Sequence, residues 1–466
     1  MGIIRDNIPP LDLAVQVVVV GAGACGLSAA LAAADGGADV LVLERDDTPL
    51  GSTAMSTGLI PAAGTPEQAA SGIDDSPARF LADILAKTKG RTDADFAGRI
   101  AGESADTVAW LRDRHQVPLA LVDGFLYAGH TAKRMYGTPN RTGGELQGAL
   151  EAALGATEAS LLTQATVTDL YVQDDRVIGL RINRPDGATE DIGCDALILA
   201  CCGFGGDADM VRDHIPEMAG ALYHGHPGNK GDAVRWGRDL GAQLADMTGY
   251  QGHGGLAVGH GVPILWPLIM EGGIQVNLDG RRFSNEAAGY SEQAMNVIAQ
   301  PGGVAWSVFD QRLHELMLAF DDYQDALRAG AIVTAPDVAA LAAATGLPAD
   351  ALADTLAIVA ACVAGDQADA FGRDFTGKPP LAGPFYAAKV TGALFHTQGG
   401  LAVDGDARVR RADGTVFPNL FAGGGAARGI SGPDASGYLA GNGLLTATTL
   451  GKLAGRAAAR QVTGAE

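Results

Sequence analysis

Aromatic side chains make up only 6% of these 466 residues, Lys and Arg number 33 against 54 Asp and Glu, and the cysteines stop at five. Each scarcity removes a class of function. A net charge of -21 offers no positive surface to release counterions from a phosphate backbone, so no nucleic-acid partner is expected. Cys201 and Cys202 are adjacent and no Cys-x-x-Cys spacing occurs, which argues against a disulfide framework or a zinc site and makes a reducing cytoplasm the expected setting. Gly, Pro or charge interrupts every apolar run before the roughly 20 residues that a membrane span needs, so no membrane insertion is expected. The N-terminus shows no basic segment followed by an apolar stretch and a small-residue cleavage site.

What is plentiful is hydrophobic residue, 47%, and glycine, 66 positions, in a chain long enough for two or three lobes. Val17 to Val20 is a buried strand, Gly21 to Gly26 a turn, Leu27 to Ala34 a small-residue helix and Val40 to Leu43 a second strand, which together make one βαβ unit. Helical spacing covers Ser76 to Arg112 and a capped helix spans Thr142 to Leu154. From Leu161 to Ile192 the pattern alternates between turns at Asp174-Asp175 and Pro185-Asp186-Gly187, as a β-meander does. Ala196 to Ala200 is another buried strand, ending in the glycine turn at residues 203–206. Residues 246–382 change character and read as an inserted α+β cap, with a nucleotide domain on either side at 1–245 and 383–466. The fold class is α/β, a Rossmann-type domain of parallel sheet plus meander that carries the cap.

Gly21-Ala22-Gly23-Ala24-Cys25-Gly26 follows a strand and opens a helix, and Glu44 with Arg45 closes the next strand. The first glycine permits the tight turn, Gly23 lets a pyrophosphate approach the helix N-terminus, Gly26 lets helix and strand pack closely, and Glu44 accepts from a ribose hydroxyl. The unit alone fits NAD as well as FAD.

Several further stretches occur together: residues 51–58, the Thr166 to Ile182 meander, Leu197 to Gly206, Gly228-Asn229-Lys230-Gly231-Asp232, His396-Thr397-Gln398-Gly399-Gly400 and Gly441-Asn442-Gly443. Jointly they resemble the fumarate reductase/succinate dehydrogenase flavoprotein superfamily, which includes urocanate reductases and 3-ketosteroid Δ1-dehydrogenases. The resemblance implies FAD, a mobile cap, and chemistry at a carbon-carbon bond beside an electron-withdrawing group. It places Ser52, Thr53, Ser56 and Gly58 near the flavin and its ribityl chain, and Gly443 and Leu444 as backbone donors to the pyrimidine edge. Val167, Ala200, Gly203, Asp232 and Gly424 complete the expected cofactor set. Where relatives often carry Ala-Gly-Glu, this chain has Ala422-Gly423-Gly424 and lacks the acid. With no histidine just before Ser52, the FAD is expected to be non-covalent.

By the same resemblance, His253 and His396 match the two substrate histidines of fumarate reductases. The proton-donating arginine that follows a Phe-x-Asn-Glu segment is replaced here by Tyr290, after Phe283-Ser284-Asn285-Glu286, and the second arginine by Tyr438. A phenol offers one hydrogen bond and no charge, so a dicarboxylate loses its clamps. In 3-ketosteroid dehydrogenases a tyrosine after the same Asn-Glu segment is the base beside a ketone. The expected reaction is therefore α,β-dehydrogenation of a ketone. In it Tyr438, with His396 or a backbone N–H, polarises the carbonyl, Tyr290 takes the α-proton as phenolate or through a proton relay, and flavin N5 accepts the hydride. Such a base needs a depressed phenol pKa, for which His253 or the Arg281-Arg282 pair is the source at hand. The alternatives are an ene reductase for an unsaturated acid or enone, with Tyr290 as the acid, and a flavin-containing sensor without turnover. The expected partners are a small ketone or enone and an electron acceptor or donor of unknown kind.

The structural alternatives are plain as well. Both tyrosines fit interface anchors, and both histidines fit backbone-satisfied core positions. Arg281-Arg282 after Asp279-Gly280 reads as a solvated turn, Cys201 and Cys202 as small residues behind the flavin, and His224 with His226, lacking a third ligand, as no metal site.

Overall fold

The first apolar run becomes the strand Leu13–Val20, hydrogen-bonded in parallel to Val40–Leu43 on one side and to the end of Thr189–Leu199 on the other. The computed structural model describes residues 2–464. Around this strand stands a sheet of nine strands, among which Thr189–Leu199 does two jobs. Its first half runs antiparallel to Arg176–Asn183 and closes the meander with Thr166–Gln173; its second half pairs in parallel with Leu13–Val20 and with Val416–Ala422. The expected separate strand at 196–200 is thus the far end of one long strand. Gly193 and Asp195 fall within it, yet neither breaks the ladder, because Gly193 and Cys194 keep their register with Ala14 and Val15 of the neighbouring strand.

The helix Ala24–Asp35 lies against the C-terminal helix Asn442–Thr463 through small side chains on both. A Cβ on Gly455 would collide with the Ala29 carbonyl, so the two backbones approach as closely as glycine allows. The terminus of the chain therefore buttresses the turn at its beginning.

A second sheet has six strands, and its spine is Phe385–Thr397, which pairs with Leu222–Tyr223, Tyr250–Ala257, Val304–Asp310 and Ile332–Ala335. By strand pairing this sheet takes in residues 222–223 and 385–397, which lie outside the stretch 246–382. The mostly apolar strand 385–397 suits either sheet, and only its partners decide. The helix Tyr290–Ile298 packs on this sheet where Gly252 and Gly392 leave room, and Ser291 Oγ accepts from Gly252 N at 2.9 Å.

The expected solvated turn at Arg281-Arg282 is half right. Arg281 is exposed, but Arg282 is buried against Phe371 and Phe375 and bonds Glu286 at 2.7 Å and Asp369. Arg373 joins the cluster 3.1 Å from Glu286. Apart from Glu286, four residues on, these partners come from residues 369–375, far along the chain, which local turn chemistry does not reveal.

Candidate active site

The Rossmann turn is built for close approach. A Cβ on Gly21 would sit 2.6 Å from the Ala200 carbonyl oxygen, and one on Gly26 would collide with the Gly21 carbonyl, so strand, turn and helix meet only with glycine there. Glu44 Oε2 accepts from Ala22 N at 2.9 Å, and Thr53 Oγ1 accepts from Ala24 N at 2.9 Å. Thr53 takes only the first N–H of the helix that begins at Ala24; its N-cap residue, Gly23, has no side chain to cap it and its first turn holds no acid, which leaves the positive end open to an anion. Asp232 Oδ1 is buried without a hydrogen-bond partner, and so is Trp236 Nε1. A bare glycine cradle, an uncapped helix start and unsatisfied buried polar atoms along one wall are what a bound dinucleotide completes. The residues present fit FAD.

One cavity runs from this cradle to the second sheet. Of the expected cofactor residues, Gly21, Gly23, Ala24, Cys25, Glu44, Arg45, Ser52, Thr53, Ser56, Val167, Ala200, Asp232, Gly424, Gly443 and Leu444 line it. Gly26, Gly58 and Gly203 do not reach it, and each has a packing reason to be glycine. Gly26 seats the helix, Gly58 adopts φ +65° with its α-carbon against the Thr142 carbonyl, and Gly203 lies against Thr397 Oγ1. Cys201 and Cys202 also line the cavity, Cys202 Sγ lying 3.4 Å from Ser52 Oγ. His226 pairs with Asp46 at 3.2 Å, and His224 is tilted on Phe395.

At the other end the four side chains expected to handle substrate stand together. His253 is 5.2 Å from Tyr290 between ring centroids, Tyr290 is 6.1 Å from Tyr438, and Tyr438 is 5.4 Å from His396. Tyr290 is the first residue of its helix, on the side of the second sheet. Tyr438 and Gly443 flank the start of the C-terminal helix, where the Tyr438 hydroxyl accepts from Gly443 N at 3.4 Å. Sequence reasoning missed Trp266 and Phe395, which hold His253 edge-on at 5.5 Å and stacked at 4.9 Å, and Tyr127, which lines the cavity beside Tyr290. Phe395 sits next to His396 in the motif; Trp266 and Tyr127 carry no sequence signal.

The electrostatics overturn one expectation. Burial pushes the Tyr290 phenol well above 10, and the neighbouring Tyr438, Tyr127 and Glu292 add to it. Burial also lifts Tyr438, against the Gly443 N–H, and drives His253 down to about 3 and His396 to about 4. Neither expected source of positive charge is available, since His253 is neutral and Arg282 is consumed by Glu286 and Asp369. Among the described lining residues the single Lys or Arg is Arg45, whose guanidinium bonds the Gly228 carbonyl at the cradle end.

Known proteins place the chain. It is 29% identical over 459 residues to a fumarate reductase (cytochrome) of Shewanella frigidimarina, covering 96% of this chain and 77% of that protein. The open conformation of a flavocytochrome c3 fumarate reductase superposes with TM-score 0.81 at 27% identity, covering 97% and 79% of the two chains. The 3-ketosteroid-Δ4-(5α)-dehydrogenase of Rhodococcus jostii RHA1, in complex with 4-androstene-3,17-dione, superposes with TM-score 0.78 at 26% identity, covering 97% and 98%. No described helix is long and apolar enough to cross a membrane. Residues 16–444 match the family model described as FAD binding domain, and the chain belongs to that family of FAD-binding oxidoreductases.

Proposed function

We propose that this enzyme transfers hydrogen across the carbon-carbon bond next to a neutral ketone carbonyl, with Tyr290 handling the proton. The observation that carries the reading is the end of the cavity formed by Tyr290, Tyr438, Tyr127 and the neutral imidazoles of His253 and His396, where the described lining residues include no guanidinium or ammonium and the nearby Lys87 is paired with Glu292. A dicarboxylate entering here would give up its hydration and gain no opposite charge, a loss of several kcal/mol per ion by order of magnitude. A ketone oxygen needs only hydrogen-bond donors.

When bound, FAD supplies the centre that exchanges hydride. Gly21, Gly23 and the uncapped helix start would hold its pyrophosphate, Glu44 its ribose, and Gly443 and Leu444 the ring. The hydroxyl of Tyr438 already accepts from Gly443 N, so its own proton is free for the substrate carbonyl, with His396 beside it. Polarising that carbonyl acidifies the adjacent C–H in a saturated ketone and prepares the same carbon for protonation in an enone. Tyr290 transfers the proton in either direction.

The raised phenol pKa supports protonation as the easier direction at neutral pH, so enone reduction uses Tyr290 as it stands. Desaturation, the direction expected from the resemblance, first needs the phenolate. Anaerobic mixing tests both. Cyclohexanone or 4-androstene-3,17-dione should bleach the oxidised enzyme slowly at pH 7, and 2-cyclohexenone should reoxidise the reduced enzyme. Fumarate reoxidising it faster than any enone would sink the proposal.

A further inference from the structure

Both site histidines have one ring nitrogen already engaged. Strand Tyr250–Ala257 slips register between His253 and Leu256, and this bulge turns the Gly255 N–H onto His253 Nδ1 at 3.1 Å. A backbone N–H only donates, so Nδ1 must be bare and the ring proton sits on Nε2. Phe395, stacked on the ring at an interplanar angle of 15°, fixes its plane. A Cβ on Gly255 would come within 3.1 Å of the ring, so the donor has to be a glycine to lie so close.

His396 is held by a different device to the same end. Gln398 Nε2 lies 2.8 Å from His396 Nδ1, closer than the Thr397 carbonyl at 3.4 Å. Gln398 is buried, and its Oε1 accepts from Ser431 Oγ at 3.0 Å, while Ser431 accepts from Asn442 Nδ2 at 3.4 Å. The chain Asn442, Ser431, Gln398, His396 therefore runs donor to acceptor and delivers an N–H to Nδ1. No described residue bonds Nε2 of either ring.

We infer that Gly255 and Gln398 are positioning residues that lock His253 and His396 as neutral Nε2–H tautomers, so both histidines meet the substrate only as hydrogen-bond donors and proton transfer is left to Tyr290. The consequence for substrate rests on the reading proposed above; the tautomers do not. Burial supports the neutral forms, since both rings are held far below the ordinary histidine range. A substrate for such a pair carries acceptor oxygens and no acidic donor group at these positions.

The test is nitrogen NMR on the FAD-loaded protein labelled with 15N-histidine, with His253→Gln and His396→Gln assigning two of the nine signals. Expected are a bare, pyridine-type Nδ1 and a protonated, pyrrole-type Nε2 for both residues, unchanged between about pH 5.5 and 8.5. A proton on either Nδ1, or an imidazolium titrating in that window, overturns the inference. Gln398→Glu replaces a donor by an acceptor, so His396 should gain a protonation step in the window while His253 does not; an unchanged His396 spectrum removes Gln398 from the role. If that variant does not fold, Ser431→Ala should leave His396 as mixed tautomers, and a single unchanged tautomer counts against the chain. None of these readouts needs substrate, so a failure of ketone turnover and a failure of the wiring are separate results.

Discussion

Raising the pH should accelerate one direction of the reaction and leave the other alone. The phenol of Tyr290 starts from the ordinary value of about 10, and burial first, then Tyr438, Tyr127 and Glu292, move it upward, while the Lys87 ammonium nearby is paired with Glu292 at 2.6 Å. At pH 7 even an unshifted phenol is ionised in only about one molecule in a thousand, so forming the base costs at least about 4 kcal/mol and burial adds more. Bleaching of the oxidised enzyme by a saturated ketone should therefore gain about tenfold per pH unit from 6 to 9 without levelling off, because each unit supplies tenfold more phenolate. Reoxidation of the reduced enzyme by 2-cyclohexenone, where the protonated phenol is the reactant, should be flat over the same range. Stopped-flow absorbance of the flavin follows both. Tyr290→Phe should slow both by on the order of 10²–10⁴ while retaining bound flavin, since proton transfer by a positioned side chain is worth that much. A bleaching rate that levels off near pH 7, or a Tyr290→Phe enzyme that keeps its rate, would refute the reasoning.

Gly26→Ala should yield protein that purifies nearly colourless, because the new methyl collides with the Gly21 carbonyl and pushes the helix off the strand that shapes the cradle; the flavin-to-protein absorbance ratio checks it. Arg282→Met breaks a buried ion cluster that usually costs about 3–5 kcal/mol, but Glu286 keeps Arg373, so the low end, about 3 kcal/mol, is expected in denaturant unfolding. Acid should destabilise the fold through His253, His396 and His130, held near 3, 4 and 4 when folded. Unfolding restores the ordinary value of about 6.5, so the unfolded chain gains protons first, and at pH 5 each histidine costs about 2 kcal/mol relative to neutral pH, read as a falling midpoint between pH 7 and 5.

The nucleotide half was legible because its determinants are local. An apolar β-branched run, glycines at fixed spacing and a small-residue helix are consecutive, and Gly21, Gly23 and Glu44 took their places with no information from elsewhere in the chain. The border of the second sheet was not legible, since 385–397 is mostly apolar, which suits either sheet, and only its four partner strands settle it. Tyr290 and Tyr438 were found by motif, yet their approach to 6.1 Å depends on how the second sheet sits over the C-terminal helix. Arg282 failed for the same reason: Asp279-Gly280 announces a turn, while the acid that draws the guanidinium inward lies at Asp369. The missing signal in each case was a contact between residues far apart in the chain.

The lack of a Lys or Arg among the described residues that line the substrate end of the cavity ties substrate choice to direction, and one substitution should move both. Tyr438 faces Tyr290 at 6.1 Å between ring centroids, and burial keeps its own phenol neutral at these pH values. Tyr438→Arg puts a positive charge where a neutral phenol stood, and an opposite charge within about 4–6 Å typically lowers a pKa by about 1–3 units. Ketone bleaching in this variant should acquire a plateau at lower pH, displaced by at least about one unit, since the phenolate then forms more easily. The same guanidinium offers a carboxylate the bidentate partner that the native wall withholds, so an unsaturated acid such as fumarate, expected to be inert with the parent enzyme, should begin to reoxidise the reduced variant. Losing the Tyr438 hydroxyl removes a donor from the ketone oxygen, and enone reduction should fall as acid reduction rises. If fumarate remains inert while the pH profile moves, the neutral wall is not what excludes acids; if the acid is accepted with no movement of the profile, Tyr438 does not govern the Tyr290 phenol.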